Sequence, residues 1–407
     1  MADFAGYTPP APLEFVPIED EPQKDLFGNP FNCFGNMIDL VDLRPRDWII
    51  KRFLERGSVT TLVSPGGVGK SQLALTLAIY LAVGYASFFG FPNVYADKPQ
   101  YSVIFNAEDS KQEMSMRMHA LCISMGIDPD CAKPYIALIS GKDLKLKLLT
   151  KDSNGRAHVP DEAKRLINLL VNTCVHYGAV FVNLDPLNKI HEVSENDNVE
   201  MGRLLENLTG IADLARVGLL LSHHMGKPSF AAGVLYAGNA ASSRGAGEIV
   251  NGARAAYTLS TATTEDANRF GLTEDRQIRL VRLDDAKLNR ALSTMDAAAW
   301  MERESVTLPN GEVVGAFKPA NPRTDAEIYR RQLGEALAVE MTGRGTGKIG
   351  LSDAVQFLIS HDNLFQQMPL DLIKKRLERA LDGGIILPNG ARIASGLDGG
   401  KHIITYG

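Results

Sequence analysis

Cysteine is scarce and scattered: four residues in 407 (Cys33, Cys122, Cys131, Cys174), with no C-x-x-C pair and no His-rich partner. That pattern excludes a disulfide framework and a zinc site, and it fits a reducing compartment. Long apolar runs are missing too. The longest largely apolar stretch, Leu73 to Val83, has 11 residues, far short of the ~20 that span a bilayer. No basic start followed by an apolar core is seen at the N-terminus, so no secretory signal is read. The chain is expected to be cytoplasmic, with no membrane partner. Excess charge of one sign is also lacking: a net charge of −5 argues against a protein that coats duplex DNA electrostatically. With 45% hydrophobic and 22% charged residues, wholesale disorder and collagen-like or coiled-coil architecture are excluded.

What charge there is lies unevenly. Residues 1–50 hold nine acids against three bases, a net −6, which leaves the other 357 residues at +1. Residues 1–44, acidic, rich in proline and without apolar periodicity, read as a tail or strap. From Trp48 the pattern becomes that of an α/β domain. Short apolar runs (Ser58–Val63, Tyr101–Phe105, Tyr135–Ile139, Ala179–Leu184, Gly218–Ser222) alternate with helical stretches (Gln72–Val83, Gln112–Met125, Asp161–Tyr177, Val199–Ala215). Continuous apolar strands alternating with helices predict a parallel sheet covered on both faces. Further strands are expected at Ala255–Leu259 and Ile278–Leu283, which sets the domain at residues 45–303. Residues 304–323, punctuated by Pro309, Gly311, Gly315, Pro319 and Pro322, read as a linker. Residues 324–407 carry three helical patterns and then a strand-and-turn signal around Gly383–Gly390, suggesting a small winged-helix-like module.

The strongest motif is Ser64-Pro65-Gly66-Gly67-Val68-Gly69-Lys70-Ser71, the ending of a phosphate-binding loop with Ser in place of the first Gly. Small residues let successive backbone N–H groups curl around phosphate oxygens, and the following helix N-terminus adds positive dipole. Pro65, Gly66, Gly67, Val68, Gly69, Lys70 and Ser71 are therefore the candidate nucleotide contacts. Lys70 would reach the β/γ-phosphates, and the Ser71 hydroxyl would bind Mg²⁺. Asp185, closing the third clear strand, stands where α/β sheets bind ligands and can hold Mg²⁺ through water. Glu108, in Phe105-Asn106-Ala107-Glu108-Asp109, is the candidate base that polarises the attacking water, though an acidic pair here can also simply cap the next helix. His224 or its neighbour His223, at the end of the fourth strand, is placed to hydrogen-bond a γ-phosphate.

These residues, in this order, resemble the RecA-like hexameric ATPases, and among them the plasmid RepA-type replicative helicases. The likeness runs from Trp48 to Leu283 and includes Ala107-Glu108-Asp109, Leu184-Asp185-Pro186-Leu187, His223-His224 and Ser243-Arg244-Gly245. It implies a RecA-like P-loop core and a homo-oligomeric ring, expected to be a hexamer, with ATP at each subunit boundary. In that scheme Glu108 is the catalytic carboxylate, Asp185 the Mg²⁺-side acid and His224 the γ-phosphate sensor. Arg244 matches the arginine finger that enters a neighbour's site, and Arg254 is a second candidate. Single-stranded DNA is the expected partner, met by a small-residue loop between His224 and Arg244 through Lys227 charge and Tyr236 stacking. Loop Asn188–Asn198 is a second pore candidate, poor in cations. The C-terminal module, with Lys374-Lys375-Arg376 on a helix, has DNA, a protein or the ring itself as possible partners. The expected function is an ATP-driven replicative helicase. Two alternatives stand beside it: a RecA-fold ATPase that acts as an assembly switch or defence component without unwinding, and an ATP-regulated DNA-binding regulator.

Overall fold

The computed structural model describes residues 40–224, 249–250, 252–288, 298–361, 370–387, 390–398 and 401–407. The chain divides into two units, Met1–Arg46 and Asp47–Gly407. Of the first, only a short 3₁₀ turn at Leu40–Asp42 and the exposed residues after it are described, so most of the acidic segment lies outside the described residues. So do Lys227, Tyr236 and Arg244.

A nine-stranded sheet organises the second unit. Its strands are β1 (Ser58–Ser64), β2 (Ser102–Asn106), β3 (Ile136–Ser140), β4 (Phe181–Asp185), β5 (Gly218–His224), β6 (Ala255–Thr261), β7 (Leu280–Leu288), β8 (Ala299–Thr307) and β9 (Val313–Pro319). In space they run β9-β8-β7-β6-β1-β5-β4-β2-β3. From β6 to β3 every neighbouring pair is parallel. β7, β8 and β9 extend that core as antiparallel strands. This is a RecA-like P-loop α/β core, and the near-continuous burial of β1, β2, β4 and β5 is what a sheet covered on both faces demands.

Helix α1 (Lys70–Val83) is buried on almost every side, in keeping with its largely apolar run from Leu73 to Val83. The sheet twists around it. Helix α2 (Lys111–Met125) packs beside β3 at one edge and also against β9 at the other, where Ser124 Oγ donates to Glu304 of β8 at 2.5 Å. Twist accumulating over nine strands brings the two edges toward the same pair of helices. Helices α3 (Asp161–Tyr177) and α4 (Asn198–Ala215) cover the opposite face, with Leu166, Leu204 and Leu208 in a second apolar cluster.

The linker expected at 304–323 does not exist as such. Residues 299–307 and 313–319 are paired strands of the main sheet, and Pro309 and Gly311 sit in the turn between them. Gly315 and Pro319 lie within β9, an edge strand, where a missing N–H or side chain costs no second ladder. The ATPase sheet therefore extends past Arg303, to Pro319. From Pro322 a helix (Pro322–Gly343), two more helices (Leu351–His361, Leu370–Leu381) and a four-stranded antiparallel sheet build a separate small core around Leu337, Leu358, Leu377 and Ile404. Among the described residues no helix is long and apolar enough to cross a membrane, and Cys122, Cys131 and Cys174 are unpaired thiols.

Candidate nucleotide site

The phosphate loop leaves β1 at Ser64 and enters α1 at Lys70. Two of its glycines take positive φ, 77° at Gly67 and 117° at Gly69, a backbone that L-residues adopt only with strain. Gly69 is constrained twice, because a Cβ there would lie 2.4 Å from the Phe317 ring of β9. Strand β8 and edge strand β9 thus press on the loop from outside: the Gln72 side-chain amide donates to the Gly315 carbonyl, and Arg303 donates to Gly67 O at 3.5 Å.

Lys70 is only 5% exposed. Its ammonium donates to Ser64 Oγ at 2.9 Å, to the Ser64 and Pro65 carbonyls at 3.3 and 3.4 Å, and to His224 Nδ1 at 3.1 Å. Since the ammonium has no lone pair, Nδ1 must be the acceptor, and the ring proton of neutral His224 sits on Nε2. The serine that replaces the first consensus glycine thus supplies a side-chain cradle for the lysine. Burial pushes Lys70 down from 10.5 to about 8, against the pull of the Asp185 and Glu108 carboxylates. Burial, with the Lys70 charge behind it, likewise holds His224 below the usual imidazole range.

Asp185 closes β4 and is 3% exposed. Its Oδ2 accepts from Ser71 Oγ at 2.5 Å and from Asn106 Nδ2 at 3.4 Å. Burial raises its pKa, opposed by the Ser71 hydrogen bond and by Lys70. These donors fit Mg²⁺. Ser71 and Asp185 offer hard oxygens side by side, and a divalent cation would relieve the desolvated carboxylate. Among the described residues no cluster of three or more His, Cys, Asp or Glu forms a closed metal cage.

One cavity of about 350 Å³ gathers Gly67, Gly69, Lys70, Ser71, Gln72, Glu108, Asp109, Arg117, Asp185 and His224. Glu108 is exposed within it. His223 is not part of it: its side chain points to the other face of the sheet, 1% exposed, and burial lowers its pKa to about 4. Arg254 lies near the far end of β1, its N–H on Val59 O at 3.2 Å, away from this chain's own phosphate loop. The loop after Asp185 is anchored by Ile190, His191 and Val193, which are buried, while Asn188, Lys189, Glu192, Ser194 and Asn196 are exposed.

Residues 37–229 match the model of the AAA domain family. The chain carries a P-loop ATPase domain. The matched stretch holds the phosphate loop, Glu108, Asp185 and His224, and it ends before β6. The ATPase domain as folded is longer than the match, because β6 to β9 complete its sheet and supply Phe317 and Arg303 to the phosphate loop. Sequence reading missed four of its residues: Asn106, Arg117, Arg303 and Phe317. Asn106 carried a signal, being an Asn at a strand end two residues before an acid, the place for a side-chain-closed turn. The others reach the site only through tertiary contacts.

The lowered pKa of Lys70 has a measurable consequence. Phosphate binding favours the ammonium, so ATP affinity should be insensitive to this group well below pH 8. It should fall by up to about tenfold per pH unit as pH rises from 8 toward 10.5. Burying the ammonium disfavours the nucleotide-free fold below pH 8, and that penalty fades over the same window. Titration calorimetry with ATP at several pH values, beside thermal melts, should show affinity and ligand-free stability moving in opposite directions. Affinity that rises with pH would contradict this.

Proposed function

We propose that this protein is an ATP-hydrolysing, ring-forming motor that translocates on single-stranded DNA as a replicative helicase of the RepA-type kind. The observation that carries the reading is the convergence of Lys70, Ser71, Glu108, Asp185 and His224 on one cavity at the C-terminal ends of parallel strands. In it Lys70 and the loop N–H groups bind the phosphates, and Ser71 and Asp185 hold Mg²⁺. Glu108 takes the proton of the attacking water. His224, whose Nδ1 accepts from Lys70, offers its Nε2–H toward the γ-phosphate. Arg244 is the finger reaching a neighbour's site, so that turnover depends on a homo-oligomer, a hexamer by analogy. Lys227 and Tyr236 are the DNA contacts, and the compartment is the cytoplasm.

A second reading has its own support. The exposed part of the loop after β4 carries Glu192 with a single base, Lys189, which is poor chemistry for gripping phosphates. That favours an ATPase that switches assembly without moving on DNA. ATPase rate with and without a single-stranded oligonucleotide, combined with strand displacement on a forked duplex, separates the two. The motor predicts a turnover severalfold faster with DNA and ATP-dependent displacement. DNA-independent turnover with no displacement would move the assignment to the switch.

A further inference from the structure

The acids of the site are not placed independently. Asn106 is the last residue of β2, 4% exposed, and pairs in register with Asp185 of β4. Its side-chain amide makes four hydrogen bonds. Oδ1 accepts the backbone N–H of Glu108 at 2.9 Å and of Asp109 at 2.7 Å. Nδ2 donates to Asp109 Oδ2 at 3.2 Å and to Asp185 Oδ2 at 3.4 Å. The first pair closes the turn from which the Glu108 side chain projects. The second ties that turn to the carboxylate holding the Ser71 hydroxyl.

The surroundings fix everything in this turn except the Glu108 carboxylate. Ala107 N–H donates to Asp185 O, and Gly141 N–H to Asn106 O, both at 2.7 Å. A Cβ on Gly141 would come within 2.5 Å of Ala107 Cα. Arg117 grips Asp109 at 2.7 Å and is itself held by Glu113 at 2.9 Å, while Ser140 Oγ donates to Asp109 O at 2.8 Å. Among the described residues no side chain hydrogen-bonds the Glu108 carboxylate. A rigid base of support under a free carboxylate is what a group that accepts a proton from water requires.

We propose that Asn106 is a positioning residue that sets the Glu108 carboxylate in register with the Asp185–Ser71 pair, and so acts on hydrolysis and not on nucleotide binding. This rests on the reading of Glu108 as the base. Only an amide serves at this place. An Asp keeps the acceptor but loses both donated bonds and adds a carboxylate beside Asp109 and Asp185. An Ala loses all four.

Turnover and ATP dissociation constants for Asn106→Ala, Asn106→Asp and Glu108→Gln in the full chain, with thermal melts, test it. Asn106→Ala should lower kcat by about 10²-fold, the cost of misplacing a reacting group by about an ångström, and leave the dissociation constant within about threefold of wild type. Asn106→Asp, which retains the turn-closing acceptor, should fall between Ala and wild type in kcat with ATP binding kept. The proposal is overturned if binding falls in step with kcat in Asn106→Asp, or if either variant turns over like wild type. Should Asn106→Ala fail to fold, the near-isosteric Asp variant decides alone. If Glu108→Gln retains full turnover, the base assignment fails first. An inactive Glu108→Gln beside fully active Asn106 variants removes only the positioning role.

Discussion

Glu108→Gln is expected to bind ATP as the wild type does and to hydrolyse it about 10²–10⁴-fold more slowly, the usual contribution of a positioned general base. The substitution keeps the size of the side chain and removes its ability to take a proton. Nothing else in the structure should change. The Glu108 N–H still reaches Asn106 Oδ1, and the phosphate loop is held by other residues, Ser64, Phe317 and Arg303. Asp109 is a poor substitute base, because its carboxylate is already engaged by Arg117 and Asn106. Single-turnover hydrolysis measured beside equilibrium ATP binding checks the result. Wild-type turnover would remove Glu108 from the role.

Lys70→Ala should weaken ATP binding by about 10²-fold, the scale of losing a charge-assisted hydrogen bond worth about 1.5–3 kcal/mol. The lysine is the buried cation of the phosphate loop, and Arg303, the other cation on that loop, reaches the Gly67 carbonyl from outside the cavity. Arg117 lines the same cavity but is spent on Asp109 and Glu113. The fold should survive the change. A shift from 10.5 to about 8 means that burying this ammonium disfavours the folded state by on the order of 3 kcal/mol below pH 8. Removing it relieves that penalty, against which stand the lost contacts to Ser64, Pro65 and His224. The ligand-free melting temperature should therefore hold or rise while nucleotide binding is lost. A large drop in melting temperature would show that the lysine holds the loop together more than it binds phosphate.

Much of the fold was legible because the signals are local. Apolar runs at 58–63, 101–105, 135–139, 179–184 and 218–222 each became a strand of the parallel core, since β-branched and aliphatic runs bounded by turns have few other ways to be buried. The misread stretch was 304–323. Proline and glycine are ordinary loop markers, and only pairing with β7 and β8 reveals that the stretch holds an edge strand, where the same residues are tolerated. At the site, the phosphate loop, Glu108 and Asp185 were visible as residue types at strand ends. The two adjacent histidines were not separable by type, because neighbouring residues of a strand face opposite sides. The register that sets His224 beside Ser64 decides the matter.

By itself, then, the sequence determined the chemistry available to this protein: a glycine loop before a helix, acids after buried strands, and an ATPase core. Those features depend on backbone conformation and dipoles acting over a few residues. The tertiary structure alone decided how that chemistry is held. Phe317 closes on Gly69, Arg117 on Asp109, and Asn106 joins Glu108 to Asp185. The reason is geometric. These contacts need the twist of nine strands and the register of β2 against β4, and both are set by packing across the whole sheet rather than by any one segment.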